Sequence, residues 1–126
     1  MPQSRVRVEI VNRLGKRVVT VPLRRAVEET LSKHSPCEVC IVLTHDPELK
    51  QLNSQHRSVD EATDVLSFPA SPNPANHLGD VVISWEFAEA QAKKRKIKPM
   101  EEAAMLAVHG TLHLLGMDDL TEPERN

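Results

Sequence analysis

The sequence predicts an α+β domain: a small mixed four-stranded sheet packed with helices around one central buried helix. Three observations carry that expectation. Short apolar segments at Arg5–Val11, Cys37–Leu43, Val65–Phe68 and Val81–Ile83 read as strands. Helical stretches separate them unevenly, without the strict strand–helix alternation of a parallel α/β fold. One late run, Ala103–Leu115, is apolar nearly all round, which marks a helix enclosed by its neighbours.

Taken in order, Val6, Val8 and Ile10 share one face of the first strand. Residues 12–16 contain Leu14-Gly15 and read as a turn, and Val18–Val21 as a further short strand. Pro22 suits a first helical position, after which Leu23, Ala26, Val27, Thr30 and Leu31 recur at helical spacing. The Cys37–Leu43 strand follows, and Asp46-Pro47-Glu48 starts a helix that carries Leu49 and Leu52. Pro69 ends the Val65 strand, and residues 71–76 form a loop rich in turn residues. Val81-Val82-Ile83 suits a central strand. Ser84 caps the next helix, which ends in Lys93-Lys94-Arg95-Lys96.

The 126 residues make one domain, 1–126, with no repeat or linker. Aromatic residues are only 2% of the chain, so the core rests on Val, Leu, Ile, Ala and Met. The net charge of -2 gives no overall basic field, so a nucleic-acid partner would have to be met by a local patch. Lys93–Lys96 with Lys98 is the one basic cluster; it either tracks a nucleic-acid backbone or is a solvated helix end at the negative pole of the dipole. Cys37 and Cys40 form a C-x-x-C, but on a strand residues three apart point to opposite faces. Reduced, buried thiols are expected, and these suit a cytoplasmic protein. Residues 1–5 have no apolar leader, and no apolar run is long enough for a bilayer, so no membrane association is expected. His34, His45 and His77 sit at element ends or in loops, and Asp80 is expected to shape the turn into its strand.

The chemistry is concentrated on the late helix. Pro99, Glu101 and Glu102 start it, and Gly116 fits the left-handed position that ends it. His109 and His113 stand four apart on one face, so both rings can converge on a point. Two imidazoles buried in an apolar helix need partners, and a divalent cation satisfies both. Gly116 lies three beyond His113 and Asp119 six beyond. That spacing matches the metal ligands and turn of the metzincin zinc peptidases, with Asp119 as third ligand in place of a histidine. Three protein ligands leave a position open for water. The residue after the first histidine is Gly110, where a peptidase carries its glutamate base, so proteolysis falls behind. Two core histidines satisfied by other groups are the bland alternative.

His109-Gly110-Thr111-Leu112-His113-Leu114-Leu115-Gly116-Met117-Asp118 resembles the H-G-x-L-H-L-x-G-Y-D-H signature of the YbeY family of endoribonucleases. Leu52-Asn53 with Arg57 is similar to the family's L-N-x-x-Y-R segment, and Thr63–Pro69 to its T-D-V-L-S-F-P. Leu78–Ser84 is similar to its L-G-D-I stretch, and Gln91-Ala92 to the helix that follows. The likeness runs from about residue 5 to 119 in the expected order. Asp119 stands where the family has its third histidine, and His56 where it usually has an aromatic residue. Family members usually continue past the position of Asn126 with a C-terminal helix, which this chain is expected to lack.

The resemblance implies a zinc-dependent, single-strand-specific endoribonuclease of the bacterial cytoplasm. The family acts in ribosomal RNA maturation, notably of the small subunit, and in ribosome quality control. RNA and the small ribosomal subunit are the implied partners, with ribosomal or assembly proteins beside them. Arg57, His109 and His113 are the implied catalytic residues, and His109, His113 and Asp119 the expected metal ligands. A carboxylate in the set also suits a harder divalent ion. From its position alone, Arg57 would be read as a surface ion pair with Asp60 or Glu61. Two rivals stay in view: a metzincin-like peptidase, and a non-catalytic ribosome-assembly factor whose metal site has decayed.

Overall fold

A computed structural model describes residues 6–34, 36–57, 65–69 and 77–116, with the backbone alone for 53–57. Among them run β1 (Val6–Asn12), α1 (Val21–Leu31), a 3-10 turn (Ser32–His34), β2 (Cys37–Thr44) and α2 (Asp46–Arg57). β3 (Val65–Pro69), β4 (His77–Ser84), α3 (Trp85–Arg95) and α4 (Pro99–Leu114) complete the order.

The four strands form one sheet in the order β1-β2-β4-β3. β1, β2 and β4 are parallel, whereas β3 runs antiparallel along β4. The expected mixed sheet is therefore present, with the Val81–Ile83 run between two neighbours and buried on both faces. Alternation along the strands divides the core. Val8, Val39, Ile41, Leu43, Val81 and Ile83 face α1, α3 and α4. Val42, Leu66 and Val82 face the other way, onto Leu49 of α2. Cys37 joins the first cluster and Cys40 packs against the second, so the two thiols lie on opposite faces and both are free.

Helix α1 buries Leu23, Val27 and Leu31 completely, a one-turn repeat that points straight at the sheet. Each such burial is worth about 1.5–3 kcal/mol of transfer free energy. The short strand expected at Val18–Val21 does not form: residues 17–20 have no regular structure and Val21 begins α1. This segment crosses from the end of β1 to a helix on the face of the sheet. Only Val18 reaches the core, and Val19 is left 73% exposed. The preceding turn is as expected. Asn12 Oδ1 accepts from the Leu14 amide at 2.8 Å, and Gly15 takes a φ of 78°.

His77 and Asp80 belong to β4 rather than to a loop or turn. His77 pairs in register with Glu38, and Asp80 stands between Cys40 and Phe68. The strand starts earlier than its apolar run because ladder pairing with β2 continues past the last buried residue. The Ser71–Asn76 loop lies outside the described residues.

Candidate metal centre

Helix α4 begins as its sequence prescribes. Pro99 opens the first turn, and the Lys98 amide donates to Glu101 Oε1 at 2.8 Å. At the other end the Gly116 amide donates to the His113 carbonyl at 2.9 Å with φ 80°, a left-handed stop that glycine takes without steric penalty. Glu102, Ala103, Leu106, Ala107, Gly110 and Thr111 are buried against α1, α3, β3 and β4.

The opposite stripe is Glu101, Met105, His109 and His113, all exposed. This corrects the expectation of a helix buried all round with two buried imidazoles. α1, α3 and the sheet enclose most of α4, but a helix on the outside of a sheet keeps one strip toward solvent. The histidines occupy that strip. Desolvation therefore does not force a partner on them, and what remains is their spacing, which puts both rings on one face one turn apart. His109 borders a groove of ≈ 320 Å³ between α1 and α4, floored by Ala26, Ala104, Val108 and Leu112 with Met105 at its side.

The residue between them explains how closely α4 sits. A Cβ built on Gly110 would stand 2.5 Å from Val81 Cγ1 and 3.1 Å from Ser67 Oγ. Position 110 points into the sheet with no room for any side chain. A glutamate there, as in a zinc peptidase, is incompatible with this helix seat. Ser67 Oγ in turn donates to the Gly110 carbonyl at 3.3 Å.

Of the residues expected in the site, His109 and His113 stand one turn apart on the exposed stripe of α4. Arg57 is the last residue of α2, and its side chain lies outside the described residues, as do Asp119, Asp60 and Glu61. Lys93, Lys94, Arg95 and Lys96 are exposed around the C-terminus of α3, and Lys98 precedes α4. Among the described residues no group of three His, Cys, Asp or Glu has metal-holding geometry.

Two features escaped the sequence reading. His45, given no role, bridges Glu86 and the Leu14 carbonyl. His77 lies between carboxylates, with Nδ1 3.1 Å from Glu38 and Nε2 3.6 Å from Asp80. Glu38 is met only through strand pairing, which no local pattern announces. A second cavity, ≈ 340 Å³, opens on the α2 side of the sheet, lined by Arg13, Val42, Glu48, Leu52, Phe68, Asp80 and Val82. Among the described residues its lining includes neither His109 nor His113.

Fold and site together define an α+β domain with a helix-borne histidine pair seated on its sheet through a glycine. The family is then plain: residues 6–126 match the family model described as Endoribonuclease YbeY, and the chain belongs to the YbeY family. An Endoribonuclease YbeY of Persephonella marina is 40% identical over 119 residues, covering 89% of this chain and 78% of its own length. One of Roseiflexus sp. is 38% identical, covering 94% of this chain and 81% of its own length. The solution structure of TM1509 from Thermotoga maritima superposes with a TM-score of 0.62 at 27% identity, covering 85% of this chain and 71% of that one.

Proposed function

We propose that this protein is a metal-dependent, single-strand-specific endoribonuclease that acts in ribosomal RNA maturation, chiefly of the small subunit, and in ribosome quality control. The observation that carries the reading is the family match over residues 6–126, joined to a histidine pair on one exposed stripe of α4. An exposed stripe suits a polymer that must lie along the protein surface, rather than a small molecule that needs enclosure.

The donor set fits a divalent cation: two imidazoles one helical turn apart, each able to present a neutral ring nitrogen. In this reading His109, His113 and Asp119 hold the ion, zinc in the first instance, and the Asp119 carboxylate also suits a harder ion. When bound, such an ion supplies Lewis acidity at a phosphoryl oxygen. Arg57 supplies a planar fork of donors that pairs with the phosphate and with the charge that grows on it. Gly110 supplies no base, so the protein contributes binding and electrostatics here rather than a glutamate proton acceptor. Lys98, the residue before α4, lies about 16 Å from His109 along the helix axis, counted at ~1.5 Å per residue, so the basic cluster that it closes is offered to the same RNA strand. Ribosomal RNA and the small subunit are the proposed partners and the cytoplasm the proposed compartment. Among the described residues no helix is long and apolar enough to cross a membrane.

The test is metal content by elemental analysis, together with cleavage of single-stranded and duplex RNA, for wild type, His113→Ala and Asp119→Ala. Stoichiometric metal in wild type, lost with His113 and weakened with Asp119, and cleavage confined to single strands, support the reading. RNA binding without cleavage by metal-loaded wild type overturns it in favour of an assembly factor.

A further inference from the structure

Ser67 stands opposite Val81 in the β3–β4 register, on the sheet face that receives α4. Its hydroxyl donates to the carbonyl of Gly110, the residue that directly follows His109 and precedes His113 by three. We propose that Ser67 is a positioning residue for the histidine pair, fixing the rotation of α4 on the sheet through that carbonyl. The proposal rests on the reading of His109 and His113 as metal ligands.

The argument is geometric. Gly110 lets α4 lie so close to Val81 that a single added carbon would collide with it. That contact sets the depth of the helix, and Ala103, Leu106 and Ala107 turn its apolar face inward, but apolar contacts have little directional preference and leave the fine rotation open. A carbonyl oxygen is different. Within the helix it receives the amide four residues on, and a second lone pair stays available in a defined direction. A hydroxyl anchored on β3 and aimed at that lone pair resists turning of the helix about its axis. The consequence at the surface is large. A side-chain tip at the ~5–6 Å outer radius of a helix moves by about 2 Å for a 20° rotation. A metal-binding constellation tolerates only about 0.5 Å.

The same numbers separate positioning from stability. At 3.3 Å the bond is long, and Ser67 is only part-buried. Its loss therefore leaves the fold standing and acts on direction.

The test uses imidazole resonances of the metal-free protein, followed by zinc affinity from chelator competition, in Ser67→Ala, Ser67→Thr and Ser67→Cys. Ser67→Ala is expected to move the His109 and His113 ring resonances while those of His34 and His45 stay in place, with an unchanged thermal midpoint. Zinc affinity then falls by about tenfold, the scale of losing an outer-sphere partner. Ser67→Thr, which keeps the hydroxyl, restores both readouts. Ser67→Cys, close in volume but a weak donor, resembles the alanine variant and covers the case in which Ser67→Ala unfolds. Unmoved His109 and His113 resonances in the alanine and cysteine variants overturn the proposal, as does failure of threonine to restore them. Zinc that leaves these two resonances unchanged in wild type overturns the metal reading instead, a result distinct from the metal-free comparison that judges Ser67.

Discussion

His45 Nδ1 lies 2.5 Å from Glu86 Oε2, and together they tie the end of β2 to the first turn of α3. The imidazole Nε2 faces the Leu14 carbonyl at 3.2 Å, so both ring nitrogens meet acceptors and the charged ring is favoured. The Glu86 bond raises the His45 pKa above its ordinary 6.5, with the Leu14 carbonyl adding to it. Partial burial opposes ionisation of Glu86, but the Asp46 amide and His45 outweigh it and hold the carboxyl below its ordinary 4.5. The stability owed to His45 is full below pH 6.5 and is lost as pH rises through its raised pKa. That owed to Glu86 is full above pH 4.5 and is lost as pH falls through its lowered one. Denaturant midpoints of wild type and His45→Ala should therefore converge at alkaline pH, whereas the difference from Glu86→Gln should persist there through the Asp46 amide and be lost only in acid.

Gly110→Ala forces a Cβ against Val81 and should destabilise the protein by about 1–3 kcal/mol, as overpacking does. Val81→Ala removes the obstructing methyl groups at its own cavity cost. In the double variant the two losses should sum to less than their separate values, because the residues are in contact. Chemical denaturation of the four proteins closes the cycle. Strict additivity would mean that α4 is not seated on Val81.

Thr111 is fully buried, and among the described residues its Oγ1 has no hydrogen-bond partner. A buried, unsatisfied hydroxyl costs about 1–3 kcal/mol, and valine has nearly the same shape. Thr111→Val should raise the denaturation midpoint, with metal uptake unchanged because the side chain points away from the histidine stripe.

Cys40 faces a sheet surface where burial, with the Asp80 and Glu9 carboxylates, pushes its thiol up to about 11. At neutral pH little thiolate is present, so alkylation by iodoacetamide should be much slower than that of free cysteine. Asp80→Asn should speed it. Non-reducing mass spectrometry should find no Cys37–Cys40 disulfide, since the thiols are on opposite faces.

The elements legible from sequence were those with a local signature: the α1 stripe, the Ser84 cap, the Pro99 start and the Gly116 stop. The Ser84 hydroxyl indeed accepts from the Phe87 amide at 3.1 Å. Strand order was not legible, because β4 inserts between β2 and β3 through contacts distant in sequence. The histidine spacing was readable but its exposure was not: apolar residues on an enclosed helix and on one with a single open strip differ by only a few positions. Gly110 was read as the absence of a base. Its positive role, close approach to Val81, needed the neighbouring strand.

The two faces of the sheet are unequally insured against opening. Among the described residues the α2 side rests on Val42, Leu49, Leu66 and Val82, with Val11, Cys40, Leu52 and Phe68 packed against them, whereas three helices share the larger cluster opposite. Sub-global fluctuations that release α2 therefore expose less apolar surface than global unfolding does, and its amides should exchange faster than those of α4. Arg57 rides at the end of that loosely fastened layer, and the histidine pair on the tightly fastened one. In the proposed reading, where Arg57 and the histidine pair act on one RNA strand, the Arg57 side of the site is the one that can be withdrawn, and the helix that carries His109 and His113 stays in place.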